Sequence, residues 1–290
     1  MSVINPQLCE LETKAFNSDT HIWEVKKDGI RIISGVNAEG YSLQARSGTE
    51  KTHLFPEMHI ETKVPAILDG EFSCYQNGKV VFRGIQHRAN RVKDIILVSK
   101  IYPATYDVFD VLWVDGQDLQ HLPLMERKRI LEAVLIPTDN CRILPYFDDG
   151  VQLFEDVKAN MEEGVIGKRK DGAYQQGLRA WIKVKAIQYG KFVICGYTKG
   201  TGWREPTFGA LVLGQQTKDG LVHVGSVGTG FDEAEINRLY GKMTKLHDSC
   251  PFPTEPEKAT WIKPAIEVRI AFQELTDDRK LRFPSYKGTV

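Results

Sequence analysis

The pattern Lys26-x-Asp28-Gly29-x-Arg31 occurs once in the 290 residues, inside the stretch WEVKKDGIRI that runs from 23 to 32. Asp-Gly is the commonest two-residue hairpin turn, and apolar residues alternate with polar ones beside it. The local pattern therefore predicts two short strands reversing at Asp28-Gly29. That turn explains the glycine but not the crowding of Lys26, Lys27 and Arg31, whose charges repel. A lysine attacks phosphorus only as the free amine, and neighbouring cations favour loss of its proton. The chemistry open to this hexapeptide is nucleophilic attack on a phosphate. Taken alone, it is equally the pattern of a charged hairpin.

Five further segments follow in order: ArgSerGly (46–48), LeuAspGlyGlu (68–71), PheAspValLeu (109–112), GluGlyValIleGlyLys (163–168) and TrpIleLysValLys (181–185). In order and spacing the set resembles the covalent nucleotidyltransferases, and within them the ATP-dependent DNA ligases. ProLeuMetGluArgLys (123–128), PheGlyAlaLeu (208–211), ValGlyThrGlyPhe (227–231) and LysLeuArgPheProSer (280–285) are similar to the ligase module of LigD-type end-joining ligases. The resemblance implies that Lys26 takes AMP from ATP, with Glu24 reading the adenine amine and Phe109 stacking on the base. Arg31 and Glu71 would contact ribose and phosphate. Glu163, with Glu71, would hold Mg²⁺ or Mn²⁺, whose preference is for hard oxygen ligands. Lys183 and Lys185 lie two apart, so a strand points both toward one face and one α-phosphate. Arg46 would meet the 5′-phosphate of a nick, and Arg88 is assigned to nucleic acid on the same pattern.

These residues need a scaffold. Short alternating strands with turn signals fill the first half, interrupted by helical patterns at LPLMERKRILEAVL and around VQLFEDVKANMEEG. After about residue 188 the texture becomes strand-rich and glycine-punctuated. One helix, DEAEINRLYGKMTKLH, interrupts it, with Asp232 and Glu235 as a capping box and Ile236, Leu239, Tyr240, Met243 and Leu246 on one face. The expected fold is α+β: an antiparallel-sheet adenylation domain at 1–188 and an oligonucleotide-binding β-barrel at 189–290.

Lys plus Arg and Asp plus Glu are balanced at 38 each, which argues against a purely electrostatic nucleic-acid binder. The five cysteines are widely spaced with no Cys-x-x-Cys pair, so zinc and disulfide frameworks are not expected. That also separates the chain from NAD-dependent ligases with a four-cysteine zinc site. No histidine pair has metal-ligand spacing. With neither an apolar run long enough to span a bilayer nor a secretory pattern, a cytoplasmic or nucleoid-associated monomer is expected. Its partners would be nicked duplex DNA and, by the resemblance, a Ku-type end-binding protein. An RNA ligase, a capping-type guanylyltransferase and a decayed nucleic-acid-binding protein remain as alternatives. The family's terminal Arg-x-Asp-Lys is not seen after Pro284-Ser285-Tyr286-Lys287-Gly288, an absence that puts self-adenylation most in question.

Overall fold

The computed structural model describes residues 3–76, 78–218, 220–276 and 278–290. The chain divides into two compact units, residues 1–186 and 187–290.

The first unit is built on two facing sheets. One is ordered Leu8–Glu12, Arg179–Lys185, Gly164–Arg169, His21–Val25, Tyr146–Phe147. The other runs Cys141–Ile143, Ala104–Val114, Ala66–Gln76, Ile30–Asn37, Gly40–Ala45. Pairing is antiparallel inside both, with one parallel pair at an edge of each. The strands Ala66–Gln76 and Ala104–Val114 are covered on both faces, and buried Asp69, Ser73, Asp107 and Asp110 interrupt their apolar residues. One face packs Ile32, Leu68, Phe72 and Val108 into the larger core, together with Leu131 of the helix Leu124–Val134. The opposite face brings Ile33, Phe109 and Leu112 against Trp181 and Tyr174, and this layer joins the two sheets.

The predicted hairpin at Asp28-Gly29 does not form. His21–Val25 and Ile30–Asn37 belong to different sheets, and residues 26–29 carry the chain across the gap between them. Four residues outside either strand are too many for a two-residue turn. Gly29 is needed for close approach, since a Cβ there would lie 2.0 Å from Phe72 O. The crossing places Lys26 between two sheets, where a hairpin would have left it at a sheet's outer end.

Three helices form close to where the sequence places them, while Phe82–Ala89 and Ile95–Ile101 are not among its expectations. Leu124–Val134 starts directly after Pro123, and Gly150–Ala159 is capped by Asp149, whose Oδ1 accepts from Gln152 N at 2.9 Å.

The second unit is a curled sheet ordered Gly220–Val227, Phe208–Thr217, Gln188–Lys199, Thr260–Phe272, Ser285–Thr289. Leu281 N donates to Val224 O at 2.8 Å and Tyr286 N to Thr229 O at 3.0 Å. These bonds return the last segment to the first edge, as a barrel requires. Glu233–Met243 packs Ile236, Leu239 and Met243 into the barrel core. Asp232 Oδ1 caps it by accepting from Glu235 N at 2.8 Å. The reciprocal half of the capping box is diverted, because the Glu235 carboxylate accepts from Arg238 and from the Tyr286 hydroxyl.

Candidate active site

A cavity of about 700 Å³ opens between the two sheets of the first unit. Glu24, Lys26, Arg31, Arg46, Glu71, Phe109 and Lys183 line it, so seven residues picked from five sequence segments meet in one place.

Lys26 sits one residue past the strand His21–Val25, and its N–H donates to Gly164 O at 2.8 Å. Its side chain is 23% exposed and its ammonium group donates to Glu163 Oε2. Gly164, at φ +148°, lets that chain press onto the neighbouring strand, where a Cβ would lie 2.1 Å from Val184 O. Burial pushes the Glu163 carboxyl up, with Lys26 opposing the rise. Glu163 thereby holds a proton more readily than an exposed glutamate, in contact with the Lys26 ammonium group. Lys185 adds positive charge beside Glu163, and Lys183, two residues earlier on the same strand face, reaches the cavity.

Arg31 is held rigidly. Its Nε and Nη2 donate to Asp69 Oδ1 and Oδ2 at 2.5 and 2.6 Å, and Tyr174 Oη donates to Asp69 Oδ2 at 2.6 Å. The Arg31 guanidinium carbon lies 4.4 Å from the Phe109 ring centre. Such a bidentate pair fixes the guanidinium plane against the cavity wall. Glu71 is aligned with Arg31 across the paired strands. Burial pushes its carboxyl up to about 8; Arg31 and Lys26 oppose that rise, while Glu163 and Asp69 add to it. Phe109 serves two purposes: it is buried against Trp181, at 5.8 Å between ring centres, and it still faces the cavity.

Glu24 is less open than its assignment to adenine suggests. It is 1% exposed, its Oε1 accepts from Lys128, and its Oε2 lies 2.7 Å from Lys168 Nζ. Lys168 Nζ sits 4.1 Å from the centre of the Phe109 ring and 4.0 Å from that of Trp181. Burial pulls the Lys168 ammonium well below the ordinary lysine range.

Arg88 does not face nucleic acid. The side chain is 1% exposed, with Nη1 and Nη2 donating to Glu57 at 2.6 and 2.9 Å and to the carbonyls of Tyr102 and Leu54 at 2.8 and 2.6 Å. With those donors engaged, it is an internal strut between the helix Phe82–Ala89 and the segment around Leu54. Arg46, in contrast, is exposed at the cavity mouth.

The structure adds residues that spacing did not single out: Lys168, Lys128, Asp69 and Tyr174. Lys168 could have been found, since it alternates with Ile166 along Gly164–Arg169 and both reach the cavity. Tyr174 lies in an irregular segment and had no periodic signal.

The first unit thus brings lysines, arginines, carboxylates and aromatic rings to one cavity. The family model for the ATP dependent DNA ligase domain matches residues 6–185, and that for the ATP dependent DNA ligase C terminal region matches 204–289. The multifunctional non-homologous end joining protein LigD of Mycolicibacterium smegmatis is 34% identical over 284 residues, covering 92% of this chain and 35% of that protein. The chain thus spans about a third of that relative's length. The crystal structure of the ligase domain from M. tuberculosis LigD is 28% identical, covers 99% of this chain and 95% of that one, and gives a TM-score of 0.56. A mycobacterial DNA ligase D complexed with ATP and MES is 27% identical, with coverage of 99% and 95% and a TM-score of 0.56. Matched by these models through both units, the chain belongs to the ATP-dependent DNA ligases.

Proposed function

We propose that this chain seals 3′-hydroxyl/5′-phosphate nicks in duplex DNA through a lysyl–AMP on Lys26. The observation that carries the proposal is the Lys26–Glu163 contact at the mouth of a cavity lined by Arg31, Phe109 and Lys183. Lys26 Nζ passes a proton to Glu163 and attacks the α-phosphorus of ATP. The bond to the β-phosphate oxygen breaks and pyrophosphate leaves with the electron pair. A 5′-phosphate oxygen at the nick then attacks the same phosphorus, and the P–N bond breaks as Lys26 recovers a proton. Finally the 3′-hydroxyl attacks the 5′-phosphorus and AMP departs. Lys183 and Lys185 face the charge that builds on the phosphate, and Arg31 lies ready for ribose or phosphate. Phe109 offers a stacking surface for the base.

The donor set fits a divalent cation. Glu71 and Glu163 are two carboxylates that burial makes costly to ionise, with Lys26 opposing the rise in both. Among the described residues no group of three or more His, Cys, Asp or Glu could hold a metal, so Mg²⁺ would complete its shell with phosphate oxygens and water. When bound, the ion neutralises charge on the transferring phosphate.

The pH dependence follows from Glu71. Its carboxyl keeps a proton in the folded chain from about 4.5 up to about 8. Folded protein then binds more protons than unfolded, so this group's contribution to stability falls as pH rises through that window. A cation that needs the carboxylate must displace the proton. The Mg²⁺ dependence of lysyl–AMP formation is therefore expected to strengthen with rising pH until about 8 and then level off. Glu71→Gln is expected to remove that limb from the profile. A limb that survives the substitution would assign it to another group.

Among the described residues no helix is long and apolar enough to cross a membrane. The setting proposed is the cytoplasm or nucleoid. The likeness to a protein named for non-homologous end joining favours broken ends as substrate and a Ku-type protein as partner. The test is sealing of a nicked duplex with ATP, and with GTP in parallel. Sealing with ATP alone is the expected result. Sealing of only an RNA strand, or labelling by GTP, would overturn it.

A further inference from the structure

The strand Gly220–Val227 is an edge of the barrel sheet, and the chain returns to it after Thr260–Phe272. Gln273 N donates to Arg282 O at 3.0 Å and Thr276 N to Lys280 O at 2.9 Å, so the two sides of the returning loop bond to each other. Contacts from two neighbouring residues fasten that loop to the edge strand. Leu281 N donates to Val224 O at 2.8 Å. The Lys280 ammonium donates to His223 Nδ1 at 2.8 Å and to His223 O at 2.6 Å.

The lysine dictates the state of the ring. An ammonium group has donors only, so Nδ1 must keep its lone pair and the neutral imidazole carries its proton on Nε2. Nε2 is buried and faces Glu257 Oε1 at 3.4 Å, too far for a good hydrogen bond. Ser226 Oγ also donates to Glu257 Oε1, and the Phe252 ring stands edge-on with its centre 5.4 Å from that of the imidazole. The paired strand Phe208–Thr217 sets Gly214 opposite His223 and brings no charge there. Among the described residues, the charged groups facing the ring are therefore Lys280 on one side and Glu257 on the other.

We propose that His223 and Lys280 form a latch that acid opens: a proton on Nδ1 expels the Lys280 ammonium, leaves the imidazolium to Glu257 and lets the returning loop lift from the edge strand. Two positive N–H donors cannot share the 2.8 Å now held by one donor and one lone pair. Burial, then Lys280, pull the imidazole below its ordinary 6.5, while Glu257 opposes them. Just below 6.5 the latched form thus binds fewer protons than the open one. Its advantage is complete above that value and is lost as pH falls through the lowered one. The latch concerns closure of the barrel and stands independently of the ligase reading.

The test follows the full chain by NMR from about pH 7.5 to about pH 5.5, reading the His223 ring and hydrogen exchange at the Leu281 amide, corrected for the intrinsic pH dependence of exchange. At the neutral end the ring is expected as the Nε2–H tautomer. Toward the acid end Leu281 should lose protection by roughly three- to tenfold, while the core amide of Ile194 keeps its own. His223→Asn retains an acceptor near the Nδ1 position but cannot titrate, so its Leu281 protection should not change with pH. Lys280→Met should move the ring's titration upward and leave Leu281 weakly protected at both ends. An Nδ1–H tautomer at neutral pH, an equal pH dependence in wild type and His223→Asn, or an unshifted ring in Lys280→Met would overturn the latch. Parallel loss at Leu281 and Ile194 would overturn it as well, because the whole barrel would then be unfolding.

Discussion

Lys26→Ala is expected to yield no labelled protein with α-³²P-ATP and Mg²⁺, and to lower overall sealing by something on the order of 10⁴- to 10⁶-fold, the scale of losing a covalent nucleophile. The same variant should still join a nick that already carries a 5′-AMP, because the final attack by the 3′-hydroxyl does not use the Lys26 nitrogen. Glu163→Gln separates the proton acceptor from the nucleophile. It keeps a hydrogen-bonding group beside Lys26 but removes the charge, and a loss of roughly 10²- to 10⁴-fold in lysyl–AMP formation is expected. Denaturing electrophoresis after a timed reaction reads both variants. Labelling of Lys26→Ala at the wild-type rate would place the covalent bond on another residue. An unchanged rate in Glu163→Gln would send the proton elsewhere, with water as the first alternative.

Glu24→Ala is expected to destabilise the first unit by about 3–5 kcal/mol, because it leaves two ammonium groups buried without their counter-charge. The three partners are each 1% exposed, so water screens little of the cost. Urea unfolding should show the loss as a lower midpoint with an unchanged slope. Lys168→Met provides the contrast. It leaves Glu24 and Lys128 as a one-to-one pair, so stability should fall far less, while nucleotide binding weakens with loss of the cation between Phe109 and Trp181. Equal destabilisation by the two substitutions would show that Lys168 acts in the fold rather than in the cavity.

Chemistry here was more legible than geometry. Lys26, Arg31, Glu71, Phe109 and Lys183 were picked because the order and spacing of their short segments resemble a known family, and all five line one cavity. The helix Glu233–Met243 was legible for local reasons: Asp232 caps it, and Ile236, Leu239 and Met243 recur at helical spacing, whereas Phe82–Ala89 and Ile95–Ile101 gave no such signal. The two central strands of the second sheet were legible as strands from their alternation, although both their faces are covered.

What the sequence determined by itself was the inventory of reactive groups, the helix starts after Pro123 and Asp232, and the change of texture near residue 188. Tertiary structure decided which groups meet and which are spent elsewhere. Arg88 has the same charge as Arg46, but one is enclosed by Glu57 and two carbonyls and the other is open at the cavity mouth. Glu24 could be a free reader of a base or a buried counter-ion, and only the approach of Lys128 and Lys168 from distant segments settles where its oxygens go. Asp28-Gly29 has the signature of a hairpin, but its two strands pair with different neighbours. Local sequence sets turn propensity, whereas burial across the whole unit chooses the sheet that each strand joins. That choice carries Lys26 into the gap between two sheets, where its ammonium group meets Glu163.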